Sequence, residues 1–499
     1  MADAPAAHAV FFPFPAQGHV APALHLAKLL HARGGVRVTF VHSERNHRSV
    51  LRSRGATALD GAPGFRFAAV PDGLPPAPPP SESGGDDAAA PRTGSLVFSI
   101  RSSGLHFKKL VDDAALSGAP VTCVVSDVDV VLVAAREMGL PAVALWTASA
   151  CAFMAFLQFE QLIDRDLIPL KDAEQLSNGH LDRTLVDWVP GMPTDMRLRD
   201  FMTFIRTTDP DDAVVAMFAS YMEHLRRTSS AIVINTFDEL EGEVLAALSR
   251  SRVGVDLPPV YTVGPLPQLA AAALADDDVL DAATMGAASL WPEDGGCLVW
   301  LQGKKPRSVL YVNFGSIIVL SREQLVELAW GLARSGHHFL WVIREDQAKG
   351  VVAGGGDPID MIPPEFAEET KGRGYVTRWC PQEALLRHEA IGAFLTHCGW
   401  NSMLDGICNG IPMMCFPMFA DQPTNCRYAR TEWRIGVEIG DNIEREEVAR
   451  LVREVMEEEK GGEMRQRAME CKQKAAAAIA PGGTSWVNLE RLVNDVLSP

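Results

Sequence analysis

WCPQEALLRHEAIGAFLTHCGWNSMLDGICNGIPMMCFPMFADQ, residues 379–422, is the stretch that determines the fold class of this chain. Within it the run IGAFLTH (391–397) is short and apolar, which is typical of a buried parallel strand. A glycine-containing turn follows at 398–400, and the next residues carry the signals of a helix start. The run IPMMCFPM (411–418) predicts the next strand. This alternation of strand, helix and strand indicates an α/β fold with a parallel sheet.

The turn before that helix predicts a binding site for an anion. A strand that enters a helix through a glycine turn directs free backbone N–H groups, and the positive helix end, toward the turn. His397 precedes the turn, and Asn401 and Ser402 open the helix. Asp421 and Gln422 follow the second strand, at the edge where α/β sheets bind ligands. The residues alone therefore indicate an anionic ligand, such as a phosphate or diphosphate.

The same stretch resembles the signature box of plant secondary-product UDP-glycosyltransferases, with matches at Trp379, Pro381, Gln382, His388, 396–402, Gly410, Pro412, Pro417, Asp421 and Gln422. Further matches are PFPAQGH, VSD, WTASA, RLRDF, NTFDELE and YVNFGS. The chain is most similar to the subgroup that glucosylates cyanohydrins, terpenoid alcohols and cytokinins. The resemblance implies the GT-B fold, in which two Rossmann-like domains with parallel sheets face each other and the C-terminal domain holds the nucleotide sugar.

The 499 residues suffice for two domains. The βαβ rhythm runs through both halves, separated by an Ala- and Asp-rich stretch without a strand pattern. We predict an acceptor-binding Rossmann-like domain at 1–267, an interdomain linker at 268–296 and a UDP-sugar-binding Rossmann-like domain at 297–475. A C-terminal helix at 476–499 would cross back onto the first domain, as the resemblance implies. A Pro- and Gly-rich stretch at 71–94 predicts a surface loop.

Composition restricts the partners and the compartment. The formal charge of −17 argues against nucleic acid and anionic membranes as partners. Nine scattered cysteines without a CxxC pair favour reduced thiols in the cytosol over disulfides or a zinc site. Neither a signal peptide nor an apolar run long enough to span a bilayer is visible. We expect a cytoplasmic monomer without a resident metal or cofactor.

Two acid–base candidates follow strands of the first half. His19 lies in a turn just before a helix, whose positive end disfavours protonation of the imidazole and so favours a base. Asp127 ends the VTCVVSD strand, and a carboxylate on the second imidazole nitrogen would fix the tautomer. Each could equally be a simple turn or strand-end cap, but the resemblance implies a catalytic pair. Asp129 completes a D-x-D pattern, for which a metal site is the weaker alternative.

The resemblance also implies the donor contacts. Those expected for uridine diphosphate are Ser316, Trp379, Cys380, Gln382, His397, Asn401 and Ser402. Those expected for the sugar hydroxyls are Thr147, Trp400, Asp421 and Gln422. Asp405 occupies the position where the family usually has a Glu for the ribose hydroxyls, which puts donor affinity in question. The alternatives are a core position for Trp379, a strand-end turn for Ser316 and a helix cap for Asp405.

These residues predict an inverting, metal-independent O-glucosyltransferase that moves glucose from UDP-glucose to a small hydrophobic plant metabolite or hormone, giving a β-glucoside. UDP-glucose is then a co-substrate, and the acceptor a small molecule. The alternative is a non-catalytic nucleotide-sugar-binding protein, which would not need both His19 and Asp127. A nicotinamide dehydrogenase is disfavoured because no GxGxxG follows the first strand.

Overall fold

The computed structural model describes residues 7–72, 93–116, 120–249, 256–274, 289–344, 358–440 and 442–497. Most of the surface loop predicted at 71–94 and half of the predicted linker lie outside these ranges. Within them, no helix combines the length and the apolar character that crossing a membrane requires.

A seven-stranded parallel sheet forms the N-terminal half, in the order β3-β2-β1-β4-β5-β6-β7. Its strands are β1 His8–Phe12, β2 Arg37–Ser43, β3 Phe65–Val70, β4 Cys123–Ser126, β5 Ala142–Trp146, β6 Ala231–Ile234 and β7 Val260–Thr262. In the central strand β1, Val10 and Phe12 face one hydrophobic core, whereas Ala9 and Phe11 face the other. Because both faces of the sheet are covered, its inner strands are continuous apolar runs.

Helices cover this sheet on both sides. They are α1 Gln17–Gly34, α2 Glu44–Arg54, α3 Thr93–Leu116, α4 Asp129–Glu137, α5 Ala150–Phe156, α6 Phe159–Asp164, α7 His180–Arg183, α8 Ala213–Thr228, α9 Asp238–Ser249 and α10 Leu266–Ala273. Short 3₁₀ turns lie at Ala173–Leu176, Leu198–Asp200 and Thr203–Ile205. The first helix, α1, ends where Gly35 takes a left-handed conformation with φ of 62°. The residues between α5 and α8 form short helices and turns.

A six-stranded parallel sheet forms the C-terminal half, in the order β10-β9-β8-β11-β12-β13. Its strands are β8 Val309–Asn313, β9 His338–Val342, β10 Gly374–Thr377, β11 Ile391–Thr396, β12 Met413–Cys415 and β13 Gly436–Glu438. The helices of this half are α11 Gly296–Leu301, α12 Arg322–Ser335, α13 Glu365–Glu369, α14 Gln382–Leu386, α15 Trp400–Asn409, α16 Gln422–Thr431, α17 Arg445–Glu457, α18 Glu459–Ile479 and α19 Thr484–Leu492. A 3₁₀ turn at Pro358–Met361 and a π turn at Val493–Leu497 complete the described elements.

The predicted pair of Rossmann-like domains is confirmed, and each sheet has one point where its strand order reverses. In the first sheet this point lies between β1 and β4, and in the second between β8 and β11. Open α/β sheets bind ligands at the carboxyl ends of the strands that flank such a point. His19 and Asp127 follow the first pair of strands, and Ser316 and His397 follow the second. The fold therefore places the predicted catalytic and donor residues at the two expected positions.

The chain crosses between the domains at its end. Leu489 and Leu492 of α19 are buried in the same core as β1 of the first sheet. The Asn488 side chain donates a hydrogen bond to the hydroxyl of Thr262 in β7, at 2.8 Å. The domain boundaries stay predictions, but α10 extends beyond residue 267 and buries Leu269 in the first core. Part of the predicted linker therefore packs with the N-terminal domain.

Candidate active site

His19 and Asp127 form a hydrogen-bonded pair at the first reversal point. Nδ1 of His19 lies 2.6 Å from Oδ2 of Asp127, and the histidine side chain is 36% exposed whereas the carboxylate is 4% exposed. The other carboxylate oxygen, Oδ1, accepts the backbone N–H of Phe14 at 2.6 Å. A carboxylate at Nδ1 holds the proton there, so Nε2 keeps its lone pair. The pair therefore has the geometry of a general base with an orienting acid.

The hydroxyl of Thr147 lies beside this pair, with Oγ1 3.3 Å from Nδ1 of His19. The neighbouring Asp129 does not share a ligand position with Asp127. Its Oδ2 instead lies 3.2 Å from Nδ1 of His224 on α8. Both acids of the D-x-D pattern therefore have protein partners of their own.

The second reversal point presents the start of α15. Gly399 is the N-cap and no side chain caps the helix, so the first backbone N–H groups of α15 lack intrahelical acceptors. His397 is buried beside this turn, and desolvation lowers its pKa to about 4. Its imidazole is therefore neutral at pH 7, and it can contribute an N–H group but not a positive charge. Nδ1 of His397 has no hydrogen-bond partner within the described part of the chain.

Two glycines make room for the His397 ring. A Cβ added to Gly399 would lie 2.3 Å from its Nε2, and one added to Gly315 would lie 2.5 Å from the same atom. Gly315 also has a φ of 70°, which disfavours any side chain. Ser316 follows immediately in this turn after β8. The turn after β8 and the turn after β11 therefore approach each other closely around the imidazole.

The segments that follow the two reversal points, α15 and the start of α1, are in contact across the interdomain cleft. The side-chain amide of Asn401 in α15 donates to the backbone carbonyl of Gly18 at 2.7 Å, next to His19. The side-chain amide of Asn401 is therefore used by the contact with the N-terminal domain and is not available to a donor. The backbone N–H of Asn401, in the first turn of α15, has no intrahelical acceptor and is available to a ligand. The Asn401–Gly18 hydrogen bond places the start of α15 next to the His19–Asp127 pair.

Gln382 and Asp405 lie in one buried hydrogen-bond network. Oε1 of Gln382 accepts from Asn313 at 2.9 Å and from the Tyr311 hydroxyl at 3.1 Å. Its Nε2 donates to Asp405 at 2.8 Å and to Ser402 at 3.2 Å. Burial, with a smaller contribution from a neighbouring acid, raises the pKa of Asp405 to about 8. Gln382 and Asp405 therefore hold each other, and a ribose would have to share or displace this contact.

Trp379 and Cys380 follow β10, but they are placed differently. Trp379 is half-buried and lines a cavity of about 420 Å³, within the range typical of small-ligand pockets. The ring of Trp291 lies 4.8 Å from the ring of Trp379, so an aromatic partner occupies one side. The thiol of Cys380 is buried and lies 3.3 Å from the Tyr311 hydroxyl. Only the backbone of Cys380 is left for a donor contact.

The predicted sugar contacts need one correction. The Trp400 side chain is 3% exposed, and its indole N–H donates to the carbonyl of Asn235 at 2.7 Å. The Trp400 side chain therefore lies in the domain interface, and only its backbone N–H is left to meet a sugar. Oε1 of Gln422 accepts the N–H groups of Met418 and Phe419 at 2.9 and 2.8 Å, which leaves its amide nitrogen as a donor.

Asp421 has the properties expected of a group that meets a polar ligand. Burial raises its pKa to about 6, while a hydrogen bond from Asn425 and the charge of His19 act in the opposite direction. The distance from Asn425 Nδ2 to Asp421 Oδ2 is 2.7 Å. An acid near His19 that is ionised at pH 7 can accept hydrogen bonds from sugar hydroxyls.

Comparisons with known proteins show the family of this chain. The family described as "UDP-glucoronosyl and UDP-glucosyl transferase" matches residues 114–472. A 7-deoxyloganetin glucosyltransferase from Gardenia jasminoides is 47% identical over 98% of both chains. An (R)-mandelonitrile beta-glucosyltransferase from Prunus dulcis is 47% identical over 98% of this chain and 97% of its own. The chain belongs to the UDP-glycosyltransferases.

Solved structures of other UDP-glycosyltransferases have the same fold. Os79 from O. sativa, in complex with UDP, superimposes with a TM-score of 0.76 at 25% identity, over 98% of this chain and 100% of its own. A UDP-glucosyltransferase from Polygonum tinctorium capable of glucosylating indoxyl gives a TM-score of 0.76 at 28% identity, over 99% and 100%. The GT-B fold is thus confirmed. The alternative of a non-catalytic nucleotide-sugar-binding protein is not supported, because the curated relatives are named as glucosyltransferases.

Phe156, Phe204, Phe218 and Phe419 form a cluster of aromatic rings, here called the aromatic wall. Phe204 stacks on Phe218 with ring centroids 4.3 Å apart. It also makes an edge-to-face contact with Phe419, two residues before Asp421, with ring centroids 5.2 Å apart. Phe156 packs behind them, 5.4 Å from Phe218. Phe153, Phe156 and Phe159 are each at most 5% exposed. The surface of the aromatic wall is therefore formed by the half-buried rings of Phe204, Phe218 and Phe419.

Two asparagines at the domain interface, Asn235 and Asn425, carry no sequence pattern that predicts their contacts. Asn235 accepts the indole N–H of Trp400 through its carbonyl. Asn425 accepts the Ser149 hydroxyl at 2.7 Å and donates to Cys398. A lone Asn in a turn or helix has many possible partners, so only the relative placement of the two domains identifies these contacts.

Proposed function

We propose that this glycosyltransferase transfers glucose from UDP-glucose to the hydroxyl of a small hydrophobic acceptor, with inversion, to give a β-glucoside. The observation that carries the proposal is the placement of the His19–Asp127 pair opposite the uncapped start of α15. The Asn401–Gly18 hydrogen bond joins these two parts across the cleft. A base on one side and an anion-binding helix end on the other are what direct displacement at a sugar diphosphate requires.

The roles of the residues follow from their chemistry. Nε2 of His19 accepts the acceptor's hydroxyl proton as the oxygen attacks the anomeric carbon, and Asp127 stabilises the imidazolium that forms. The bond from the anomeric carbon to the diphosphate oxygen breaks on the opposite face. The negative charge that develops on UDP is met by the free N–H groups of α15 and by His397. Because one displacement occurs, an α-linked donor gives a β-linked product.

The acceptor class is supported by the relatives and by the aromatic wall. The curated relatives are named for 7-deoxyloganetin and (R)-mandelonitrile. Both names denote small alcohols with large apolar parts. The half-buried rings of Phe204, Phe218 and Phe419 supply an apolar surface for such a molecule. We therefore assign this chain to hydroxyl acceptors of plant secondary metabolism.

Three further properties belong to the proposal. Catalysis needs no metal, because the helix end and the neutral His397 meet the diphosphate and both acids of the D-x-D pattern have protein partners. The net charge of −17 and the scattered cysteines support a cytoplasmic location. We expect the chain to act as a monomer.

A library screen tests the proposed function. Purified protein is incubated with UDP-glucose and a panel of cyanohydrins, terpenoid alcohols and phenols, with and without EDTA. Mass spectrometry should detect a mono-glucoside of at least one alcohol, in equal amounts with and without the chelator. UDP release without any acceptor glucoside across the panel would contradict the proposal.

A further inference from the structure

Three cysteine side chains converge directly behind the donor site. Cys398 lies in the turn between β11 and α15, Cys415 ends β12, and Cys426 lies in α16. Their Sγ atoms all lie within 4.8 Å of one another. Among the residues that the structure describes, no other group of three His, Cys, Asp or Glu side chains brings potential ligand atoms together in this way.

The cluster is close to the geometry of a metal site. Three sulfurs bound to one ion at about 2.3 Å in a plane lie about 4 Å apart. The observed separations of at most 4.8 Å thus differ from that arrangement by less than about 1 Å. Buried cysteines also pack as small apolar groups. Packing alone, however, does not require three separate segments to direct their thiols at one point.

The charges around the cluster favour a divalent ion. The charged side chains that act on Cys415 are Arg430 and Glu438, which pair with each other and so largely cancel. Three thiolates around a divalent ion leave a net charge of −1, whereas a monovalent ion would leave −2. Since buried net charge is costly, the divalent ion is preferred.

We propose that Cys398, Cys415 and Cys426 bind one soft divalent cation as three thiolates, and that the bound ion perturbs the donor site. Thiolate ligands select soft metals. Each thiol loses its proton to solvent as a sulfur–metal bond forms. All three side chains are at most 1% exposed, so entry requires local opening and binding should be slow.

The coupling to the donor site passes through Asn425. Its side-chain amide donates to the backbone carbonyl of Cys398 at 3.0 Å and to Oδ2 of Asp421 at 2.7 Å. Cys398 also lies between His397 and Gly399, with a φ of 65° that a non-glycine residue rarely adopts. A shift of Cys398 toward an ion would therefore move both the turn at 398–400 before α15 and the Asp421 carboxylate. This part of the inference rests on the proposed donor site.

Cadmium is a suitable probe for the site. The reduced full-length protein is titrated with Cd²⁺, and binding is followed by the ultraviolet thiolate-to-cadmium absorption and by metal analysis after desalting. We expect one tightly held Cd²⁺ per chain. Cys426→Ala and, separately, Cys415→Ala should each weaken binding at least tenfold. Cys471→Ala, at a buried cysteine of α18, should leave it unchanged. Equal Cd²⁺ affinity in the wild type and in both cluster variants would overturn the site.

Calorimetry of UDP binding tests the coupling. Cd²⁺-loaded, desalted wild-type protein should bind UDP several-fold more weakly than the metal-free protein. Cys426→Ala, treated in the same way, should show no such difference. Unchanged UDP affinity in the loaded wild type would overturn the coupling. Metal-free protein that fails to bind UDP at all would instead contradict the proposed donor site, so the two failures are distinguishable.

Discussion

Replacing Asp127 by Asn should remove the base while leaving the fold and the donor site intact. The reason lies in the two hydrogen bonds of the carboxylate. Oδ1 accepts the backbone N–H of Phe14 at 2.6 Å, and Oδ2 lies 2.6 Å from Nδ1 of His19. In the variant, the amide oxygen must stay with the Phe14 N–H group, because an NH₂ group there would place two donors face to face. The NH₂ group is therefore directed at His19.

An NH₂ group facing Nδ1 selects the imidazole tautomer with its proton on Nε2. That tautomer has no lone pair at the nitrogen that must accept the acceptor's proton. The imidazolium also loses its neighbouring negative charge. We expect kcat to fall by a factor of about 10³–10⁴, equivalent to about 4–5.5 kcal/mol of transition-state stabilisation.

The assay compares initial rates of glucoside formation with UDP affinity from calorimetry. UDP affinity should be unchanged, because the diphosphate site lies on the other domain. The matched control is Asp129→Asn, which changes the neighbouring acid that pairs with His224 and should retain near wild-type kcat. An Asp127→Asn variant with kcat within tenfold of wild type would refute the assignment of the pair.

The remaining predictions concern the donor domain. Gly399→Ala should abolish UDP binding in calorimetry, because its Cβ would lie 2.3 Å from His397, whereas Gly303→Ala, with nothing within 4 Å, should bind normally. Asp405→Asn should be more stable to heat than the wild type as pH rises from about 4 to about 8. Burial raises the pKa of Asp405 in the folded protein to about 8. The unfolded chain therefore releases this proton at a lower pH than the folded protein does, and the wild type loses folding stability in that window. An identical dependence of the melting temperature on pH in both proteins would contradict this. UDP-galactose should give a lower kcat/KM than UDP-glucose, equivalent to a loss of about 1–3 kcal/mol of transition-state stabilisation, since an inverted hydroxyl leaves Asp421 or Gln422 unpaired. Comparable kcat/KM values would show that these residues do not distinguish the two sugars.

The sequence predicts the sheets and the residues at their edges, because buried parallel strands are apolar runs and turn residues follow them directly. Asp127 and His397 lie at strand ends where the pattern places them, whereas His19 lies in the first turn of α1 and not in the turn before it. Two edge strands, β3 and β13, have no counterpart among the predicted elements. β3 is interrupted by Arg66 and has exposed positions, and β13 has only three residues.

Contacts between the domains could not be predicted, because they depend on how two independently patterned sheets face each other. Trp400 illustrates this limit. Its place at the start of α15 follows from the sequence, but its indole N–H meets Asn235 of the other domain. Asn401 likewise opens the helix as predicted, yet its amide reaches Gly18. Side-chain direction at an interface is set by the partner surface and not by local periodicity.

The anomeric configuration of the product tests the central claim most directly. Wild-type protein is incubated with UDP-glucose and an alcohol that the library screen identifies as an acceptor, and the anomeric configuration of the glucoside is determined by proton NMR. The account predicts a single β-glucoside from the α-linked donor, because His19 activates the acceptor for one displacement at the anomeric carbon. An α-glucoside would show retention and contradict the assigned mechanism.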